Sequence, residues 1–114
     1  DLDKAIDYMM RSITIDPLQA ESYIQLSNLL ESRRDHKDAV EILIQGLDIL
    51  PDDYSLLRYT GLMLYKQGKY SDAHSILIKA VRVKPDDPDL LKIIRVLENS
   101  IQIKDKKNTN ETIR

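Results

Sequence analysis

Apolar residues fall at steps of four in three stretches of the chain, Ala5, Met9 and Ile13, then Ala39, Leu43 and Leu47, then Ala73, Leu77 and Val81. A step of four keeps side chains on one side of an α-helix, so each stretch predicts an amphipathic helix with one buried stripe. Each stripe runs toward a proline, at Pro17, Pro51 and Pro85. Proline has no amide hydrogen to offer the preceding turn, and the helix stops before it. A second kind of helix alternates with the first, with Tyr23, Leu26 and Leu30 in one copy and Leu57, Gly61 and Leu64 in the next. The pattern predicts helices near residues 3–15, 20–32, 37–49, 54–66, 71–83 and 88–103, joined by short loops.

The stripes share a frame. Pro17, Pro51 and Pro85 stand 34 residues apart, and so do Ala5, Ala39 and Ala73. Two residue types in one register mark a structural repeat of that length. A helix pair of this size cannot bury both of its faces, but a stack of pairs builds a continuous core and leaves one concave surface free. Local signals agree with the frame. Asp53 and Asp87 follow prolines as N-caps, with Pro88 suited to a first helical position. Gly68 can adopt the left-handed conformation that ends a helix, whereas Arg34, its counterpart one repeat earlier, is expected to meet strain there.

These residues resemble the tetratricopeptide repeat, a 34-residue helix-turn-helix with the pattern W-x2-L-G-x2-Y, A-x3-F and P. Tyr23, Leu26, Ser27, Leu30, Ala39, Leu43 and Pro51 occupy its sites in one repeat. Leu57, Thr60, Gly61, Leu64, Ala73, Leu77 and Pro85 occupy them in the next. The resemblance covers residues 1–101 and implies an all-α, right-handed α-solenoid of antiparallel helix pairs, about two and a half repeats plus a C-terminal capping helix. The expected domain is residues 1–103. It divides into the second half of a truncated repeat at 1–19, repeats at 20–53 and 54–87, and the cap at 88–103. In the cap, Leu91 and Ile94 fit the motif, but Arg95 stands at the small-residue site and Glu98 at the large apolar site, departures suited to a polar end of the stack. The polar run at residues 104–114 is expected to be a mobile tail.

Composition narrows the function. With 114 residues, 42% hydrophobic and 32% charged, and without Cys, Trp or Phe, the chain suits one helical domain with an aliphatic core. A formal net charge of −2 disfavours nucleic acid as a partner. No apolar run is long enough to span a membrane, and a cytoplasmic setting is the expectation. His36 and His74 lack the neighbours of a metal site, and Gly46, Gly61 and Gly68 are too scattered for a phosphate loop, so neither a metal nor a cofactor is expected. The acidic pairs Asp52–Asp53 and Asp86–Asp87 recur at equivalent helix starts, which favours capping over catalysis.

Relatives of the family use the concave side of the first helix of each pair to bind proteins and peptides, and the same noncatalytic role is expected here. On that side the candidate partner-binding residues are Ile24, Asn28, Arg58, Tyr59, Leu62, Tyr65, Lys66, Lys92, Ile93 and Val96, with Glu21 and Glu31 at one end. Some relatives clamp the C-terminal carboxylate of heat-shock chaperones with Lys, Asn and Arg. The five corresponding sites here are Ile24, Asn28, Tyr59, Asp89 and Ile93, so only Asn28 agrees and Asp89 would repel a carboxylate. Starting one repeat later places Arg58, Leu62 and Ile93 where Lys and two Asn belong, and that partner is disfavoured. Two other roles remain open from the residues alone: a substrate-recognition arm of a larger enzyme such as a glycosyltransferase, and a self-assembly module. For the latter, the stripe of Ala5, Met9 and Ile13 is expected to be left uncovered and to favour self-association through the N-terminal helix.

Overall fold

The polypeptide forms six helices in a computed structural model that describes the backbone of residues 1–113 and the side chains of residues 1–106. They are α1 (Leu2–Ile15), α2 (Ala20–Ser32), α3 (His36–Ile49), α4 (Tyr54–Lys66), α5 (Tyr70–Val83) and α6 (Pro88–Ile113), with no strand among the described residues. The first five lie within two residues of the positions the apolar periodicity predicts. No helix among the described residues is long and apolar enough to cross a membrane.

Side chains close the starts of α4 and α6. The carboxylate of Asp53 accepts from the amide of Leu56 at 2.9 Å, and that of Asp87 accepts from the amide of Leu90 at 3.1 Å. Each satisfies a donor that the first helical turn leaves without an intrahelical partner. The α2–α3 and α4–α5 turns are built alike. The Asp35 and Lys69 amides donate to the carbonyls of Leu30 and Leu64, at 2.8 and 2.9 Å. Arg34 and Gly68 donate to Glu31 and Tyr65, each at 3.0 Å, completing a Schellman turn in both places. The turn requires a left-handed residue, and Arg34 takes it with φ 68° where Gly68 has φ 78°. The strain expected of Arg34 therefore does not abolish the turn; two backbone hydrogen bonds hold the residue there. Arg34→Gly is expected to raise stability by about 0.5–1 kcal/mol, read as a higher midpoint in urea unfolding.

Consecutive helices pack side by side, α4 against α5 most extensively. The core is a single aliphatic column in which Leu26, Ala39, Leu43, Leu56, Leu57, Ala73, Leu77, Ala80, Leu90 and Leu97 are fully or almost fully buried. Tyr23 enters it by bonding its hydroxyl to the carbonyl of Pro17 at 2.7 Å, which satisfies its one polar atom. Burial pushes that hydroxyl's pKa above the ordinary tyrosine value, with Asp16 adding to the effect. Gly46 and Gly61 occupy points where helices approach closely. A Cβ on Gly61 would fall 2.3 Å from Leu77 Cδ2, and one on Gly46 would fall 2.8 Å from Tyr23 Cγ.

The last helix differs from expectation. Its backbone is helical to Ile113, beyond residue 103 and through most of the run read as a tail. The apolar stripe does end near Ile103, but no Gly or Pro follows Pro88, so nothing in the sequence terminates the helix. The side chains of residues 107–114 lie outside the described residues.

Candidate interaction groove

α2, α4 and α6 are the first helices of their pairs. α2 packs directly on α4, whereas clefts of 300 and 640 Å³ separate α1 from α3 and α3 from α5. The closer approach of α2 to α4 is the arrangement expected of a solenoid that curves with its first helices on the inside. Most of the candidate residues lie on the free faces of these helices in differing degrees of exposure.

Ile24 does not present itself to a ligand. It is 8% exposed and belongs to the core beside Tyr23 and Leu26. Asn28 is exposed, and its Oδ1 accepts from the hydroxyl of Tyr59 across the α2–α4 contact. That bond fixes the Tyr59 ring along the inner face, half-buried against the core. Leu62 is half-exposed one turn further on. Tyr65 follows, tilted by 43° against Tyr70 with ring centroids 5.8 Å apart, an arrangement that limits the motion of both rings. On α6, Ile93 leans on the core while Val96 is 48% exposed and Lys92 is exposed; Lys66, at the end of α4, is exposed as well. The part-exposed apolar candidates are therefore Tyr59, Leu62 and Tyr65 on α4 and Ile93 and Val96 on α6.

Arg58 is not a free cation. Its Nε donates to Asp87 Oδ2 at 3.1 Å, and the Tyr54 hydroxyl donates to the same oxygen. With Oδ1 of Asp87 capping α6, one carboxylate ties the start of α4 to the start of α6. The hydrogen bond from Tyr54 is the largest influence holding the Asp87 carboxyl below the ordinary aspartate value, followed by the Leu90 amide. Burial, then the bond to Asp87, pushes the Tyr54 hydroxyl up. Lys84 places its ammonium 5.3 Å from the Tyr54 ring centroid, a cation–π contact on the same cluster. Sequence reading treats Asp87 as a cap alone; its link to Tyr54 and Arg58 spans about one repeat and has no local signature.

Each histidine ring meets a carboxylate of a neighbouring helix. His36 Nδ1 lies 2.8 Å from Glu31 Oε1, and His74 Nε2 lies 3.1 Å from Glu98 Oε1. A further cleft of about 450 Å³ opens between α1 and α2, lined by Ala5, Tyr8, Met9, Gln25, Asn28, Leu29 and Ser32. Of these, sequence reading singled out Ala5 and Met9 as a surface in need of cover, and Asn28 for the groove.

No family model and no curated protein matches the chain. Solved structures do. The crystal structure of MamA superposes with a TM-score of 0.75 at 19% identity, over 93% of this chain and 62% of that one. The Sgt2 TPR domain from Aspergillus fumigatus gives 0.76 at 15% identity, over 92% of this chain and 71% of that one. The first TPR of Spaghetti (RPAP3), bound to the HSP90 peptide SRMEEVD, gives 0.75 at 12% identity, over 89% of this chain and 80% of that one. The fold is thus an all-α, tetratricopeptide-like solenoid, and the chain spans about three fifths of the length of MamA. At these identities the likeness is one of fold.

Proposed function

We propose that the chain is a noncatalytic interaction module whose inner face holds an extended peptide or a partner helix. The observation that carries this reading is the set of Tyr59, Leu62, Tyr65, Ile93 and Val96, part-exposed apolar side chains taken as one strip, with Lys66 and Lys92 exposed on the same two helices. Aromatic and aliphatic anchors inside a charged rim are the composition of a binding hot spot. The rings of Tyr59 and Tyr65 are already fixed by Asn28 and Tyr70, so little side-chain freedom is lost when a partner arrives. The Spaghetti (RPAP3) domain, of similar fold, holds the HSP90 peptide SRMEEVD. In this chain the chemistry differs. Asn28 is engaged by Tyr59 and Arg58 by Asp87, which leaves apolar contact as the main source of affinity.

The test is a peptide selected from a random library against the whole chain, followed by titration against variants. Tyr59→Ala and Leu62→Asp are each expected to weaken its binding at least tenfold, about 1.4 kcal/mol, with the helical circular-dichroism signal retained. Lys79→Ala, on α5 away from the strip, is expected to bind as the wild type does. The reverse pattern, with Lys79→Ala abolishing binding and the strip variants harmless, would remove the inner face from consideration.

A further inference from the structure

We propose that the cleft between α1 and α2 is a docking site for one further amphipathic helix, seated on α1 as α4 is seated on α5 and carrying glycine, alanine or serine where it crosses Met9. This proposal is independent of the inner-face reading.

The internal repeat says what covers this cleft, because the same sites occur deeper in the stack with their cover in place. Ala5 corresponds to Ala39 and Ala73, Met9 to Leu43 and Leu77, and Leu29 to Met63 and Leu97. The six inner residues are buried, five of them fully. Ala5, Met9 and Leu29 are only half-buried, and all three line the cleft. Three series therefore lose their cover together at one edge. At the inner sites the first helix of the pair provides it: α4 sets Gly61 against Leu77, so close that even a methyl group would overlap. The residue that crosses Met9 has to be similarly small.

The rest of the edge agrees. Tyr8, in the cleft beside Met9, is 68% exposed, while Met10 and Ile15 are exposed on another face of the same helix. Tyr8 joins Ala5, Met9 and Leu29 in one apolar lining, and an exposed apolar patch marks an interaction surface. The polar lining is also specific. Gln25 occupies the site of Tyr59, and Tyr59 bonds to Asn28 of the helix before it. Gln25 is correspondingly placed to bond a polar side chain of the incoming helix. A second copy of this chain does not offer that helix from its surface: α6 carries Arg95 at the small-residue site, and α2 and α4 are enclosed by their neighbours.

The experiment uses the whole chain and a synthetic peptide of residues 53–68, which supplies an α4-type helix with its glycine. Sedimentation of the chain alone is expected to show a monomer. Adding peptide is expected to shift the Met9 methyl resonance saturably and to slow amide exchange in α1 and α2. Met9→Lys is expected to weaken peptide binding at least tenfold, as is Tyr8→Glu, a change at an exposed residue that leaves the core untouched. Leu62→Asp in the chain is expected to bind this peptide normally, although it is expected to weaken binding at the inner face at least tenfold. A peptide with leucine in place of its glycine is expected not to bind. A wild-type dimer that buries Met9 without peptide would overturn the proposal in favour of a second copy. Binding that survives both α1 variants, or protection confined to α4 and α6, would overturn it as well.

Discussion

Leu77→Ala is expected to destabilise the fold by about 2–5 kcal/mol, the usual cost of removing most of a buried leucine side chain. Leu77 is fully buried at the most extensive helix contact in the molecule, α4 on α5, and its side chain packs over the bare backbone of Gly61. Removing it leaves a cavity next to a residue that has no side chain to move in. A domain of this size has about 5–15 kcal/mol to lose, so a large share of its stability rests on this contact. Urea unfolding followed by circular dichroism is the measurement, with the midpoint falling and the slope preserved. Lys79→Ala, two residues away on the exposed side of α5, is expected to change stability by less than about 0.5 kcal/mol. If Leu77→Ala cost no more than Lys79→Ala, the α4–α5 contact would not be the rigid interface described.

The fold was legible because two signals share a period. Ala5, Ala39 and Ala73 mark where a second helix meets its partner, and Pro17, Pro51 and Pro85 mark where that helix has ended. Neither depends on knowing what lies opposite. The close approach at Gly46 belongs to the same frame, since Ser12, Gly46 and Ala80 are also 34 residues apart, and small residues at one repeat site are a readable sign of a tight crossing. The cap was less legible. Its apolar stripe fades before its helix ends, and the polar residues after it include no Gly or Pro to stop it.

The groove was legible as a face and not residue by residue. Tyr23 and Ile24 are neighbours about 100° apart on α2, and periodicity cannot say which side of the buried stripe widens to take in a border residue. Packing against the neighbouring helices settles it, and Ile24 goes into the core. Arg58 raises a different difficulty. Counted as a rim charge from sequence, it is held by Asp87, which lies 29 residues away and also bonds Tyr54. A charge pattern along one helix carries no information about a carboxylate that the far end of the repeat brings into reach. Arg34 makes the complementary point about backbone. Local preference argues against the left-handed conformation, but the turn is fixed at both ends by helices whose packing is set elsewhere, and the residue conforms.

Gly61→Leu tests the same contact as Leu77→Ala by filling it instead of emptying it, and a loss of about 3 kcal/mol is expected, at the upper end of ordinary overpacking. A Cβ at this site would lie 2.3 Å from Leu77 Cδ2 and 2.5 Å from Cγ, so the overlap reaches past the tip of the leucine to its branch point. Rotation of the tip alone cannot relieve it, and Leu77 is fully buried. Helices α4 and α5 have to separate, which would weaken contacts along both. The mechanism makes a sharper prediction for a pair of changes. Gly61→Ala introduces only the Cβ, and combining it with Leu77→Ala removes the groups it strikes. The double variant is therefore expected to be more stable than the sum of the two single losses implies, by at least about 0.5 kcal/mol, the coupling seen between residues in contact. Strict additivity, measured by urea unfolding of all four proteins, would show that the cost at Gly61 comes from somewhere other than Leu77.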